Sequence, residues 1–308
     1  MSPTEPSGSR RPYRIVHSTT YDYNDDVGES HGRAHLLPRE EPGQRVISSS
    51  VTVDPEPAEV HEHRDYFGNR SSYYRVMTPH RTLSVTSTSV VEVTRTDVPW
   101  SVLDSVRVPA AGAMADHAVD DDALRARELL LPSARVPRLA EVATYAAASL
   151  APGAPLGAAL SGLLDRIHTD FTYKPGSTTV TTPLAEALAQ RTGVCQDLAH
   201  LLIGCLRSVG LPAGYVSGYL ETTPPPGKPR LFGVDASHAW ASVHVPEIGW
   251  VDLDPTNDHQ ADHRYIVVAR GRDYDDVPPL KGVIFTESTK STMKVSVDVR
   301  PDELATAG

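Results

Sequence analysis

The chain has 308 residues, 40% hydrophobic and 22% charged, with a formal net charge of -10 and a pI near 5.7. Such a length holds two domains at about 100–200 residues each, and the apolar content is ample for globular cores. The acidity, with no basic run to neutralise phosphates, argues against a nucleic-acid partner, and nothing approaches the ~18 consecutive apolar residues of a membrane span.

The first residues, MSPTEPSGSRRPYRIV, carry no apolar stretch after the arginine pair. They do not read as a secretory signal, so a cytoplasmic protein with a disordered tail over residues 1–12 is expected. Residues 13–95 read as a β domain. Tyr13, Ile15, His17, Thr19, Tyr21 and Tyr23 alternate along one strand, Val51 and Val53 along another, and Leu83, Val85, Val91 and Val93 along a third. Asn24-Asp25-Asp26, Glu41-Pro42-Gly43 and Phe67-Gly68-Asn69 read as turns, which together predict an antiparallel sandwich or partly open barrel. His61-Glu62-His63 reads as a solvated turn rather than a metal site. Residues 96–135 form a connector, with Asp120-Asp121-Asp122 as the acidic entrance to a short helix.

Helical spacing follows. Leu139, Val142, Ala143, Ala146 and Leu150 define one helix, and Leu156, Ala159, Leu160, Leu163, Leu164 and Ile167 a second. Pro183 suits a first helical position with Thr182 as N-cap, in a short helix through Leu188. In residues 193–220, Leu198, Leu201, Leu202, Cys205, Leu206 and Val209 form an apolar stripe ended by Gly210 and Pro212. Tyr215–Leu220 is a strand, and residues 223–229 a Pro-rich mobile loop. Residues 237–245 alternate Ala239, Ala241, Val243 and Val245 with His238, Trp240, Ser242 and His244. Residues 250–258 place Val251 and Leu253 on one face and Trp250, Asp252 and Asp254 on the other. Val295, Val297 and Val299 make a last strand that returns to the N-terminal β region.

Two cysteines are too few for a thiolate zinc site. On one helix, Cys195 and Cys205 are separated by about 15 Å, beyond the ~7 Å that a disulfide tolerates. Cys205 lies inside the apolar stripe and reads as a small core residue. Cys195 opens the helix, where the dipole and free N–H groups favour a thiolate. Nucleophilic attack on an amide needs a thiolate, a base and a carboxylate that orients the base. A Cys opening a helix, then a His on a strand and an Asp on the strand that follows it supply that set as Cys195, His238 and Asp254.

Parity restricts the geometry. Opposed residues of an antiparallel pair share a face. For His238 and Asp254 to do so, opposed residue numbers must sum to an even number, which calls for a three- or five-residue connection or a bulge. Asp252 has the same parity and is the fallback orienter. His200, a turn along the helix, reads as a structural hydrogen-bonding residue, Asp197 as a capping partner, and His259 with His263 as a solvated loop. Trp240 either walls a channel beside the site or packs under the histidine.

Over nearly its whole length the sequence resembles the transglutaminase-like superfamily. Gly193-Val194-Cys195-Gln196-Asp197-Leu198-Ala199-His200 is similar to that family's nucleophile motif, Ser237-His238-Ala239-Trp240 to its histidine motif, and Gly249-Trp250-Val251-Asp252-Leu253-Asp254-Pro255-Thr256-Asn257 to its aspartate motif. The first ninety-odd residues and Gly271-Arg272-Asp273-Tyr274-Asp275-Asp276-Val277 resemble one bacterial branch. The resemblance implies an α+β protein, with an N-terminal antiparallel β domain (13–95), the connector (96–135), a papain-like transglutaminase core (136–270) and a C-terminal strand segment and tail (271–308). It also implies Cys195 as nucleophile, His238 as general base and acid, and Asp254, placed directly before the proline, as orienter. Acyl transfer on a peptide or protein substrate is implied, with no cofactor, no metal, no nucleic acid and no membrane partner. Two departures stand out. Pro212-Ala213-Gly214 replaces the branch's usual Pro-Ala-Arg, and no Trp precedes Cys195 as an oxyanion donor, which leaves the Cys195 N–H and Tyr173. Hydrolysis by a protease or amidase is one alternative, and a catalytically silent binding module another.

Overall fold

The structure, a computed structural model, describes residues 11–110, 121–222 and 237–302. Of the tail expected over residues 1–12, residues 1–10 lie outside them, as do the start of the acidic run and the Pro-rich loop, whereas Arg11 and Pro12 belong to the first strand, where they oppose Val93 and Glu92. In chain order come β1 (Arg11–Ala34), β2 (Gln44–Asp54), β3 (Glu59–Arg64), β4 (Arg70–Val76) and β5 (His80–Val93), then α1 (Trp100–Leu103), α2 (Asp121–Glu128), α3 (Ala140–Ala147) and α4 (Leu156–Asp170). These are followed by β6 (Thr172–Tyr173), α5 (Leu184–Gln190), β7 (Thr192–Gly193), α6 (Cys195–Ser208), β8 (Ala213–Leu220), β9 (Ser237–Val245), β10 (Gly249–Asp254), β11 (His259–Gln260), β12 (Tyr265–Gly271), β13 (Leu280–Thr286) and β14 (Ser291–Pro301).

The N-terminal strands are hydrogen-bonded into one seven-stranded antiparallel sheet organised on β1, which is 24 residues long. Its first half pairs with β5 and β14, its second half with β4 and β13. Asn24-Asp25-Asp26, read from sequence as a turn, lies within this strand at a register shift between Asp22 and Val27. The polar cluster is tolerated there because it is solvated and partnered: Arg81 reaches Asp26 at 2.6 Å, and Asn24 accepts from the Lys290 N–H at 2.9 Å. His61-Glu62-His63 likewise lies on an exposed edge strand, β3, with His61 on Glu59 and Glu62 on Arg70.

A second sheet, ordered β11-β10-β9-β8-β12, packs on α6. The sequence stripe understates this helix. Ala199, His200, Ile203 and Gly204 are buried as well, since α3 and α5 also pack on this helix and Tyr215 of β8 covers His200. At Gly204 a Cβ would stand 3.1 Å from Val142 of α3, so the close helix contact favours glycine there. Cys205 is fully buried in this core, and burial pushes its thiol up to about 12. Cys205→Ala should therefore leave chemistry intact and lower unfolding free energy by about 1–2 kcal/mol, measured by denaturant titration. The α5 helix begins after Pro183, which itself occupies the N-cap position, and runs on to Gln190; Thr182 instead accepts from the Thr179 N–H.

The two sheets share one hydrophobic core, in which Ile15, Val93, Val297 and Val299 join residues of α4, α6 and β9. The joint is polar as well. β12 is the edge strand of the second sheet, and open strand edges need covering. The Gln44 side-chain amide exchanges two hydrogen bonds with Val267 N and O, and Asn69 does the same with Arg270 N and O. Two side chains of the N-terminal region, one from β2 and one from the β3–β4 turn, thus stand in for a sixth strand.

Candidate active site

Cys195 is the first residue of α6. The preceding Val194 is extended and has no polar side chain to cap the helix, so Asp197 takes over. Its carboxylate folds back to accept from the Val194 N–H at 2.8 Å and from Thr178 Oγ1 at 2.6 Å. A Cβ on Gly193 would come within 2.8 Å of the Asp197 side chain, so this folded-back cap needs glycine there. The entrance of the helix is fixed in this way, and the Cys195 thiol is left half-buried.

The histidine and the carboxylate come from β9 and β10. Val245 opposes Gly249 and Ser242 opposes Asp252, an even sum, so Pro246–Ile248 is the three-residue connection that parity required. Glu247 and Gly249 take the positive φ values that turn the chain. Ala239, Ala241, Val243 and Val245 join the helical core, and His238 and Asp254 share the other face. His238 Nε2 and Asp254 Oδ2 are 2.6 Å apart. An ionised carboxylate can only accept, so Nε2 carries the proton and Nδ1 is left for the thiol.

Asp254 is fully buried and accepts from several donors. Tyr265 Oη at 2.6 Å and Asn257 Nδ2 at 2.7 Å share Oδ2 with the imidazole, and the Thr256 N–H reaches Oδ1 at 2.8 Å. Burial alone would push this carboxyl up, but the imidazole and these donors outweigh it and hold it well below the usual carboxylate range. Burial likewise opposes charge on His238, yet the Asp254 carboxylate and the neighbouring Cys195 overcome it and raise the ring to about 10. The arrangement favours an imidazolium beside a sulfur nucleophile.

The other candidates separate cleanly. Asp252 does not touch His238; it accepts from Trp240 Nε1 at 3.1 Å and pairs with Arg270 at 2.9 Å. Trp240 is fully buried and packs against the histidine ring at 6.1 Å, so it forms a floor and not a channel wall. His200 accepts from the Tyr274 N–H at 3.2 Å, and burial depresses it to about 4. His259 is not in a loop but on β11, opposite Asp254. Among the described residues no three His, Cys, Asp or Glu side chains gather as a metal site, and no helix is long and apolar enough to cross a membrane. Tyr173 opposes Gly193, two residues before Cys195, and is half exposed; burial, with the charges of Cys195 and Asp254, raises its hydroxyl. Tyr265 and Asn257 were not singled out from sequence as supports of Asp254. Asn257 lies in the aspartate motif, but nothing local marks Tyr265.

A sequence model of the bacterial transglutaminase-like N-terminal region matches residues 13–92, and one of the transglutaminase-like superfamily matches residues 144–255. An uncharacterized protein of Mycobacterium tuberculosis is 47% identical over 312 residues, covering 96% of this chain and 95% of its own. A protein-glutamine gamma-glutamyltransferase of Pseudomonas aeruginosa is 31% identical over 137 residues, 44% of this chain and 20% of that protein. A crystal structure from Cytophaga hutchinsonii, provisionally described as a cysteine protease, superposes with a TM-score of 0.73 at 19% identity, over 95% of this chain and 93% of that one, a likeness of fold.

Proposed function

Because the chain belongs to the transglutaminase-like superfamily, we propose that it is a cysteine-dependent acyl-transfer enzyme acting on amide bonds of a peptide or protein. Cys195 is the nucleophile, His238 the acid and base, and Asp254 the orienting carboxylate. The observation that carries this reading is the buried His238–Asp254 pair set beside a half-buried thiol at a helix entrance. The thiolate attacks the carbonyl carbon, forming a C–S bond and an oxyanion. The Cys195 N–H, among the first-turn donors that a helix leaves open, and the Tyr173 hydroxyl would receive that charge. Collapse breaks the C–N bond, and His238 gives its proton to the departing nitrogen. Water or an amine then attacks the thioester, His238 takes its proton, and the thiolate is released.

We favour hydrolysis or transfer to small amines over bulk crosslinking. An amine outcompetes water most readily in a closed, desolvated channel, whereas Cys195 is only half-buried and Trp240 is withdrawn beneath the histidine. The test supplies a fluorescent primary amine with glutamine peptides, alongside internally quenched peptides. Cleavage alone supports the hydrolase. Amine incorporation without cleavage makes the protein a transferase, as the name of the Pseudomonas relative indicates for that protein. A limiting thiol-reactive probe that labels Cys195 no faster than an ordinary exposed thiol would point to the silent binding module.

A further inference from the structure

We propose that the cavity of about 600 Å³ between the N-terminal sheet and the outer face of the second sheet binds a small organic anion with a flat apolar body, such as an aromatic carboxylate. The cavity has the size of a small-molecule site and lies at a junction of two structural units, where such sites concentrate. None of Cys195, His238 and Asp254 lines it, so it is separate from the site above and does not depend on the chemistry proposed there.

Its walls fit both halves of such a ligand. Phe67 and Trp250 offer flat apolar surface. Four arginines, Arg39, Arg95, Arg125 and Arg270, stand against three carboxylates, Glu41, Glu128 and Asp252, an excess of one positive charge in a chain of net charge -10. Glu41 and Asp252 are held by Arg95 and Arg270 at 2.8–2.9 Å. Arg39 is held as well: its Nη1 donates to the Phe67 carbonyl at 3.2 Å and to Asn69 Oδ1 at 2.6 Å, and its Nε pairs with the Glu41 carboxylate at 3.6 Å. Arg125 is exposed on α2. A ligand carboxylate would balance the excess charge and pair with the exposed Arg125 guanidinium through charge-assisted hydrogen bonds. Asp252 also accepts from Trp240, whose ring packs against His238, so a bound anion would be sensed beneath the active site.

The experiment titrates the full chain with 1-naphthoate and reads heat by calorimetry and the emission of its three tryptophans, Trp100, Trp240 and Trp250. The expected result is one saturable site per chain, with the neutral 1-naphthamide bound at least tenfold more weakly. Arg125→Glu and Thr96→Trp, the latter placing a bulky ring at an exposed position lining the cavity, should each weaken naphthoate at least tenfold with unchanged melting temperature. Alkylation of Cys195 with iodoacetamide should leave binding intact. Equal affinity for the amide would overturn the assignment of an anion. Unchanged binding in both variants, loss on alkylation, or no saturable binding at millimolar naphthoate would each overturn the site.

Discussion

Cys195→Ala removes turnover by at least about three orders of magnitude, because no other group can form the acyl intermediate. Its melting temperature stays close to that of the parent. The two cysteines differ in what surrounds them. Cys205 is sealed in the helical core, so its truncation leaves a cavity, whereas the Cys195 thiol is half-buried at the first residue of α6 and its removal opens onto solvent. The cap of the helix does not involve the thiol either, since Asp197 bonds the backbone of Val194 and the hydroxyl of Thr178. A second readout separates loss of the nucleophile from general damage. Cys195 is one of the groups that raise His238, so the imidazole of the variant should titrate lower than in the parent, as followed by NMR. Full activity in a folded Cys195→Ala protein, or loss of activity only in Cys205→Ala, would reverse the roles assigned to the two thiols.

The site was legible in sequence where short-range rules apply. A thiol at a helix entrance follows from an apolar stripe that starts just after it. A histidine and an aspartate on one face follow from the two-residue period of strands together with the length of the loop between them. Parity alone required an odd connection, and Pro246–Ile248 provides it. The choice between Asp252 and Asp254 was not open to parity, because both carry the same sign. It was made by likeness to a motif, and in the structure Asp254 bonds the ring while Asp252 is engaged by Trp240 and Arg270.

Other features stayed out of reach because they join distant parts of the chain. The polar cluster Asn24-Asp25-Asp26 has the composition of a turn, yet cross-strand partners at Arg81 and Lys290 keep it within a single strand. Gln44 and Asn69 have no periodic signature. Each closes the edge of β12 from over two hundred residues away. That closure matters to the site, since β12 carries Tyr265, and Arg95 of the N-terminal region bonds the Tyr265 carbonyl at 3.3 Å. The first sheet therefore holds the strand whose hydroxyl supports Asp254, a connection that no local pattern records.

Asp254→Asn should lower kcat/KM by about 10²–10⁴-fold, through loss of the carboxylate that fixes the imidazole and its charge. The more diagnostic change is in the pH profile. In an imidazolium–thiolate pair, the alkaline limb reports loss of the ring proton, and in the parent this limb should lie near 10, where Asp254 and Cys195 hold His238. With a neutral amide in place of the carboxylate, burial is opposed by less, and the limb moves down toward the ordinary 6.5. Tyr265→Phe is the contrasting variant. It removes one of several donors to Asp254 but leaves the carboxylate ionised, so its limb stays near 10 while its rate falls by less. Stability should follow the same proton. His238 is raised on folding, so its stabilising contribution is fully present below the unfolded value of 6.5 and is lost as pH rises through about 10. Thermal melts between pH 6 and 10 should therefore show the parent losing stability across that window and Asp254→Asn losing far less. An alkaline limb that stays near 10 in Asp254→Asn would show that the carboxylate does not set the charge of His238.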